Sequence, residues 1–294
     1  MKEKDLIAQC YLCGGRDIAK RTGQVRDKPD IDILECRSYG LVFLSSFNHI
    51  NNGFYESSGM DEVGIVNFNT GDVEEWLRKT KYDDDRRFHF CSPLIDNKSV
   101  LDFGCGNGGF LLKARKKANK IVGIEPAKSL KSHFLKNEIV VHSNIDALSE
   151  TFDIFTIFHV LEHIPDPREL LVKLGERLKE GGQLIIEVPS SDDALLRLYK
   201  CKLFSYFTYW SCHLFLFSAK NLKFLGEESG FKVNYVKQIQ RYPLSSHLYW
   251  LSEGGPGGHE KWSFIDSEEL NNAYESQLAS IGYCDTLIAS FTKK

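Results

Sequence analysis

Asp102-Phe103-Gly104-Cys105-Gly106-Asn107-Gly108-Gly109 joins a short apolar run, Val100–Phe103, to an amphipathic stretch, Gly109–Lys117, that carries Phe110, Leu111, Leu112 and Ala114. This pattern predicts a strand, a sharp turn and a helix, with glycines where the backbone has to turn and come close to a ligand. Gly104, Gly106 and Gly109 also match the spacing of a dinucleotide-binding loop. That match alone does not choose among nucleotide ligands.

Outward from this loop, apolar runs alternate with amphipathic stretches, the mark of βα units and a parallel sheet. Ile121–Ile124, Ile139–Val141, Ile154–Phe158 and Leu184–Val188 read as buried strands, because each is apolar almost throughout. A helix is expected from Pro167 to Lys179, stopped by Gly181-Gly182. Another is expected from Ser218, its N-cap, to Ser229, with Gly230 beyond it and strand Phe231–Gln238 next. Thr286–Phe291 is the last strand, after an insertion at 241–283 that includes a helix near Ser267–Ser280. The catalytic domain is expected to begin near Pro93 and to occupy 96–294, with 1–48 a separate module and 49–95 a helical covering segment.

Charge narrows the ligand. Asp102 ends the first strand, Glu125 ends the second, and the polar segment Ser143-Asn144-Ile145-Asp146 follows the third. A carboxylate beside the helix N-terminus would repel a pyrophosphate, whereas an ammonium or sulfonium ligand is stabilised there. Glu125 can accept from both ribose hydroxyls of a nucleoside. With its Asp-x-Gly-x-Gly and the later Leu161-Glu162-His163-Ile164-Pro165-Asp166-Pro167, the chain resembles the class I S-adenosylmethionine-dependent methyltransferases over about 99–240. The resemblance implies an α/β fold, a doubly wound, mostly parallel seven-stranded sheet, with S-adenosylmethionine as cofactor. It implies that Gly104, Cys105, Gly106 and Asn107 flank the methionine part, that Glu125 binds ribose, and that Asn144, Ile145 and Asp146 border the adenine, Asp146 facing its amino group.

His159-Val160-Leu161-Glu162-His163 also spells the H-x-x-E-H of inverted zincins. Here it continues a strand and runs into Pro165 and Pro167, so two helical turns are not expected. The family reading sets the segment at the ligand edge of the sheet, where His159 borders cofactor and acceptor, and Glu162 and His163 either hold the loop or join the chemistry. His213, in Trp210-Ser211-Cys212-His213, resembles a histidine found at that place in relatives; its titration range suits a general base, and a core histidine is the rival reading. Phe204, Tyr206, Phe207, Tyr209 and Trp210 are candidates for an acceptor pocket, a dimer contact or a buried helix face. The loop Gly254-Gly255-Pro256-Gly257-Gly258, near His247, Tyr249 and His259, reads as a lid or as a passive surface loop.

Upstream, Cys10-x-x-Cys13 and Cys36 have the spacing of two zinc knuckles, but Tyr39 stands where a fourth cysteine belongs. The segment resembles the small zinc ribbon of some sugar methyltransferases. Either His49 or another group completes a structural zinc site, or the metal is lost and the ribbon remains. Within 50–95, Trp76, Leu77, Tyr82 and Phe88 mark a helix, with Tyr82 expected to touch the cofactor.

A chain of 294 residues with 42% hydrophobic and 26% charged residues can bury one α/β core plus a small module. Its net charge of −3 speaks against a nucleic-acid partner. Arg86-Arg87 and Arg115-Lys116-Lys117 read as solvated helix faces. The eight scattered cysteines suit reduced thiols, and with no apolar run of spanning length a cytoplasmic protein is expected. The acceptor is expected to be a small molecule or glycan precursor, with a sugar or surface-polysaccharide intermediate favoured and a quinone or other metabolite as the alternative. An NAD-dependent oxidoreductase and a non-catalytic cofactor-binding module share the glycine loop and stand as readings from other classes.

Overall fold

The computed structural model describes residues 7, 9–50, 53–56 and 73–294. Part of the helical covering segment, 57–72, lies outside the described residues. In chain order come β1 (Ile18–Lys20), β2 (Ile33–Cys36), β3 (Val42–Leu44), α1 (Val73–Ile95), β4 (Ser99–Phe103), α2 (Gly109–Ala114), β5 (Lys120–Ile124), α3 (Lys131–Lys136), β6 (Val140–His142), β7 (Phe152–Phe158), α4 (Pro167–Arg177) and β8 (Leu178–Pro189). Then follow α5 (Ala194–Arg197), α6 (Lys202–Phe207), β9 (Phe215–Leu216), α7 (Ala219–Glu228), β10 (Phe231–Ile239), α8 (Leu244–Glu253), α9 (Gly258–Lys261), α10 (Glu268–Ile281) and β11 (Thr286–Lys293).

The main sheet has seven strands in the order β10-β11-β8-β7-β4-β5-β6. Strands β4 to β8 pair in parallel, and β11 enters antiparallel between β8 and β10. The order reverses at β4, which has β5 on one side and β7 on the other. Ligands of such sheets bind at this reversal, outside the carboxyl ends of the strands. The expected doubly wound, mostly parallel sheet is therefore present.

Local sequence accounts for the helices that frame it. Asp166 caps α4 by accepting from the Glu169 N–H, Pro167 supplies the first turn, and Leu170, Leu171 and Leu174 pack inward. Ser218 and Asn221 form a reciprocal capping box on α7. One expectation needs correcting. Gly181-Gly182 does not stop α4, because the buried Leu178 already pairs with Phe152 and starts β8, which carries both glycines within it.

The N-terminal strands form a second sheet, β1-β2-β3-β9, all antiparallel. Its fourth strand belongs to the far part of the chain: Phe43 pairs with Phe215, and Val42 with Leu216. Val25, Leu41 and Phe43 share one apolar core with Tyr209, Phe217 and the main sheet. Among the described residues no helix is long and apolar enough to cross a membrane.

Candidate active site

A cavity of about 1180 Å³ lies along the carboxyl ends of β4, β5, β7 and β8. At one end stands the glycine loop. Gly104, Gly106 and Gly108 all have positive φ, and a Cβ on Gly104 would lie 2.4 Å from Val160. The glycines are thus demanded by both backbone and space. Glu125 is held by two backbone donors, Gly106 N–H at 2.9 Å and Ala127 N–H at 3.0 Å. Burial raises its pKa, and those two donors oppose the rise. Asp102 is fully buried, accepts from Thr156 Oγ1 at 2.7 Å, and is pushed by burial up to about 7. A buried acid beside a loop too tight for side chains is a donor set that would suit the positive methionine end of S-adenosylmethionine.

Cys105 and Asn107 also line this end, but their side chains have structural work. Cys105 packs toward Gly123, and Asn107 accepts from the Gly109 N–H while donating to Thr80. Asn144 and Ile145 line the cavity, Asn144 capping the turn at Ile145–Ala147. Asp146 is exposed and outside the cavity wall, so it is not brought to the adenine position.

Helix α1 covers this end with a face different from the one expected. Trp76, Thr80, Asp83, Asp84 and Arg87 line the cavity, at spacings of three and four residues. Tyr82 falls on the opposite face, 67% exposed, which removes it from the cofactor. Nor are Arg86 and Arg87 solvated charges. Both donate to the fully buried Glu187 of β8, at 2.8 and 2.9 Å from Arg86 and 3.0 and 2.8 Å from Arg87. This ion cluster ties the covering helix to the sheet, and sequence reasoning missed it because the partners are about a hundred positions apart. The stripe of polar and aromatic residues on α1 was the signal that could have found it.

The two carboxylates Glu162 and Glu187 flank His159, whose Nδ1 is 3.3 Å from Glu162 and whose Nε2 is 3.2 Å from Glu187. His159 has a positive φ of 54° and donates its backbone N–H to the Glu187 carbonyl. Burial would lower its pKa, yet the two acids outweigh burial and raise it. Burial alone would raise Glu162, but His159 and His163 bring it to about 2. The segment after β7 is a short 3-10 turn, Leu161–His163, not the two helical turns a zincin needs.

His163 and His213 meet on the cavity wall, ring centroids 4.9 Å apart, with Tyr55 and Trp210 against them. Burial lowers His163, and burial together with His163 lowers His213 to about 3, so both imidazoles are neutral near pH 7. His163, Cys212 and His213 offer ligand atoms within 4.8 Å of one another. The aromatic run divides among the readings: Phe204, Phe207 and Trp210 line the cavity, Tyr209 is core, and Tyr206 is exposed. Of the insertion, His247, His259, Pro256 and Gly257 reach the cavity, while Tyr249 receives a bond from Lys261 instead.

The thiols of Cys10, Cys13 and Cys36 converge, with Cys13 and Cys36 sulfurs 3.7 Å apart. They are three of the four donors a zinc knuckle uses. His49 does not complete them, because its Nε2 bonds the Ser211 carbonyl at 2.6 Å, and the Tyr39 ring packs on Phe224.

Comparison with known proteins meets this geometry directly. A family model described as a methyltransferase domain matches residues 75–236. The chain belongs to that family. Its fold is that of the class I methyltransferases. A ubiquinone biosynthesis O-methyltransferase of Hydrogenovibrio crunogenus is 26% identical over 175 residues, 56% of this chain and 64% of the relative. One of the same name from Haemophilus ducreyi is 35% identical over 105 residues, 30% of this chain and 44% of the relative. The chain thus spans less than two thirds of the length of these relatives. A SAM-dependent methyltransferase from Archaeoglobus fulgidus superposes with a TM-score of 0.51 at 20% identity, over 74% of this chain and 99% of that one, a likeness of fold.

Proposed function

We propose that the methyltransferase moves the methyl group of S-adenosylmethionine to a hydroxyl of a small organic acceptor seated at the aromatic end of the cavity. The observation that carries this is continuity: Gly104, Glu125, His163, His213 and Trp210 line one cavity, so a donor at the glycine loop and an acceptor beside the histidines share a single space. When bound, the cofactor supplies a methyl group already activated on a positive sulfur. The protein has to align the nucleophile, exclude water and take the hydroxyl proton.

Glu125 would hold the ribose, Asp102 and Asp84 would face the positive groups, and Asn144 and Ile145 would border the adenine. His213 is the general base by position; the burial that keeps it neutral across the physiological range also weakens it as a proton acceptor, which suits an acidic, phenol-like hydroxyl. His163 keeps its ring oriented by edge-to-face contact. His159, held cationic between Glu162 and Glu187, stands between the two halves and keeps those acids from repelling each other.

Among acceptors, a hydroxylated quinone-type ring draws more support than a polysaccharide precursor, because the named relatives are ubiquinone biosynthesis O-methyltransferases. A glycan-linked acceptor is the second reading, favoured by the three converging thiols of the N-terminal module. The test is transfer of labelled methyl from S-adenosylmethionine to a panel of dihydroxybenzoates and sugar nucleotides. Turnover of one class chooses between the readings, and tight NAD binding with no affinity for S-adenosylhomocysteine would overturn both.

A further inference from the structure

The arginines and lysines on the cavity wall, among the described residues, are Arg26, Arg87, Arg241 and Lys128. Three of them have carboxylate partners: Arg87 with Glu187, Arg241 with Asp83, and Lys128 with Glu56. Among the described residues Arg26 has none within ion-pair distance. Its guanidinium makes one hydrogen bond to protein there, from Nη1 to the Phe207 carbonyl at 3.3 Å. Asp27, next in the chain, spends both carboxylate oxygens on Ser211, at 3.0 Å from its N–H and 2.5 Å from its hydroxyl.

This guanidinium is nevertheless firmly placed. The Arg26 N–H donates to the Tyr209 carbonyl at 3.0 Å, and Gln24 N–H to Ser205 at 3.3 Å. Val25 between them is fully buried. The guanidinium carbon lies 3.6 Å from the ring centroid of Trp210 and 4.7 Å from that of Phe207. Contact with ring faces takes up none of the five N–H donors, and among the described residues only Nη1 has a protein acceptor, so donors remain for two-point recognition of a planar or tetrahedral oxyanion. Burial lowers its pKa to about 10, so it stays charged at neutral pH. Trp210 also touches His213, with ring centroids 5.7 Å apart, so the unmatched cation sits beside the imidazole assigned as base.

We propose that Arg26, supplied by the N-terminal module, anchors an oxyanion of the methyl acceptor, a phosphate or a carboxylate, and so fixes the acceptor hydroxyl beside His213. The proposal rests on the reading that the aromatic end of the cavity receives the acceptor. It gives the N-terminal module a direct part in substrate choice, since a neutral acceptor would leave a half-buried charge unmatched.

Calorimetry on the full chain saturated with S-adenosylhomocysteine tests it, with pyrophosphate as the phosphate probe and 4-hydroxybenzoate as the carboxylate probe. One of the two is expected to bind wild type, and the preference identifies the oxyanion. Arg26→Gln is expected to weaken that probe at least tenfold, and Arg26→Lys by less, while affinity for S-adenosylhomocysteine stays unchanged. A rise in melting temperature on adding S-adenosylhomocysteine shows that each variant is folded; if Gln is not, the Lys variant decides. Equal probe affinity in wild type and variants, or no binding of either probe to wild type, overturns the proposal. Failure of wild type to bind S-adenosylhomocysteine overturns instead the reading beneath it.

Discussion

The two ends of the cavity, proposed as the donor and acceptor ends, are built by opposite means. At the donor end, Asp102, Gly104, Gly106 and Glu125 sit at the tips of adjacent strands, and Glu125 is oriented by backbone N–H groups of its own loop and the next. At the acceptor end, Arg26, Tyr55, His163, Trp210 and His213 come from four separated segments and are oriented by ring contacts and by bonds between distant stretches. A site made of neighbouring backbone can serve one cofactor across many proteins. A site made of converging side chains can change its substrate by changing a few of them.

The ion cluster where the ends meet gives the sharpest break of this contrast. Glu187→Ala leaves Arg86, Arg87 and His159 without their shared buried acid and is expected to cost about 3–5 kcal/mol of stability, seen in urea unfolding. An unchanged midpoint would show that the two ends are not tied there. His213→Gln is expected to lower kcat about 100-fold with S-adenosylhomocysteine affinity intact, the size of a lost general base. Its pKa is depressed, so wild type should keep this base unprotonated until pH falls toward 3, and an acid limb near pH 6.5 would contradict the assignment. Glu125→Ala is expected to do the reverse, weakening S-adenosylhomocysteine by about 1.5–3 kcal/mol, as for hydrogen bonds to a charged group, while probes of the acceptor end still bind.

The smallest effect is a pH signature at Asp102. Its pKa in the folded chain, about 7, is raised, so its contribution to stability is full below the unfolded carboxylate range and is lost as pH rises through 7. Asp102→Asn should therefore gain melting temperature over wild type as pH goes from 5 to 8. Binding of S-adenosylmethionine should strengthen with pH across the same interval in wild type and stay flat in the variant, by no more than about tenfold.

The same division explains what could be read in advance. Strands of continuous apolar residues, capped helices such as the one behind Asp166, and the glycine turn all announce themselves within about ten positions, because each depends on local backbone chemistry. Tyr82 and Arg86-Arg87 were misplaced for the converse reason. Which face of α1 meets the cavity depends on where Glu187 and Asp83's partner Arg241 lie, a hundred or more residues on.

From its sequence alone, then, this protein is legible as a parallel α/β sheet with a glycine turn over Asp102–Gly109, since short-range periodicity suffices for that; the nucleoside ligand expected there is what the family resemblance implies. Only the folded chain could decide that β9 would complete the N-terminal sheet, that His163 and His213 would face one another, and that Arg26 would reach the same cavity with no counter-charge among the described residues. Contacts of this kind are formed by packing between distant segments, and no local pattern encodes them.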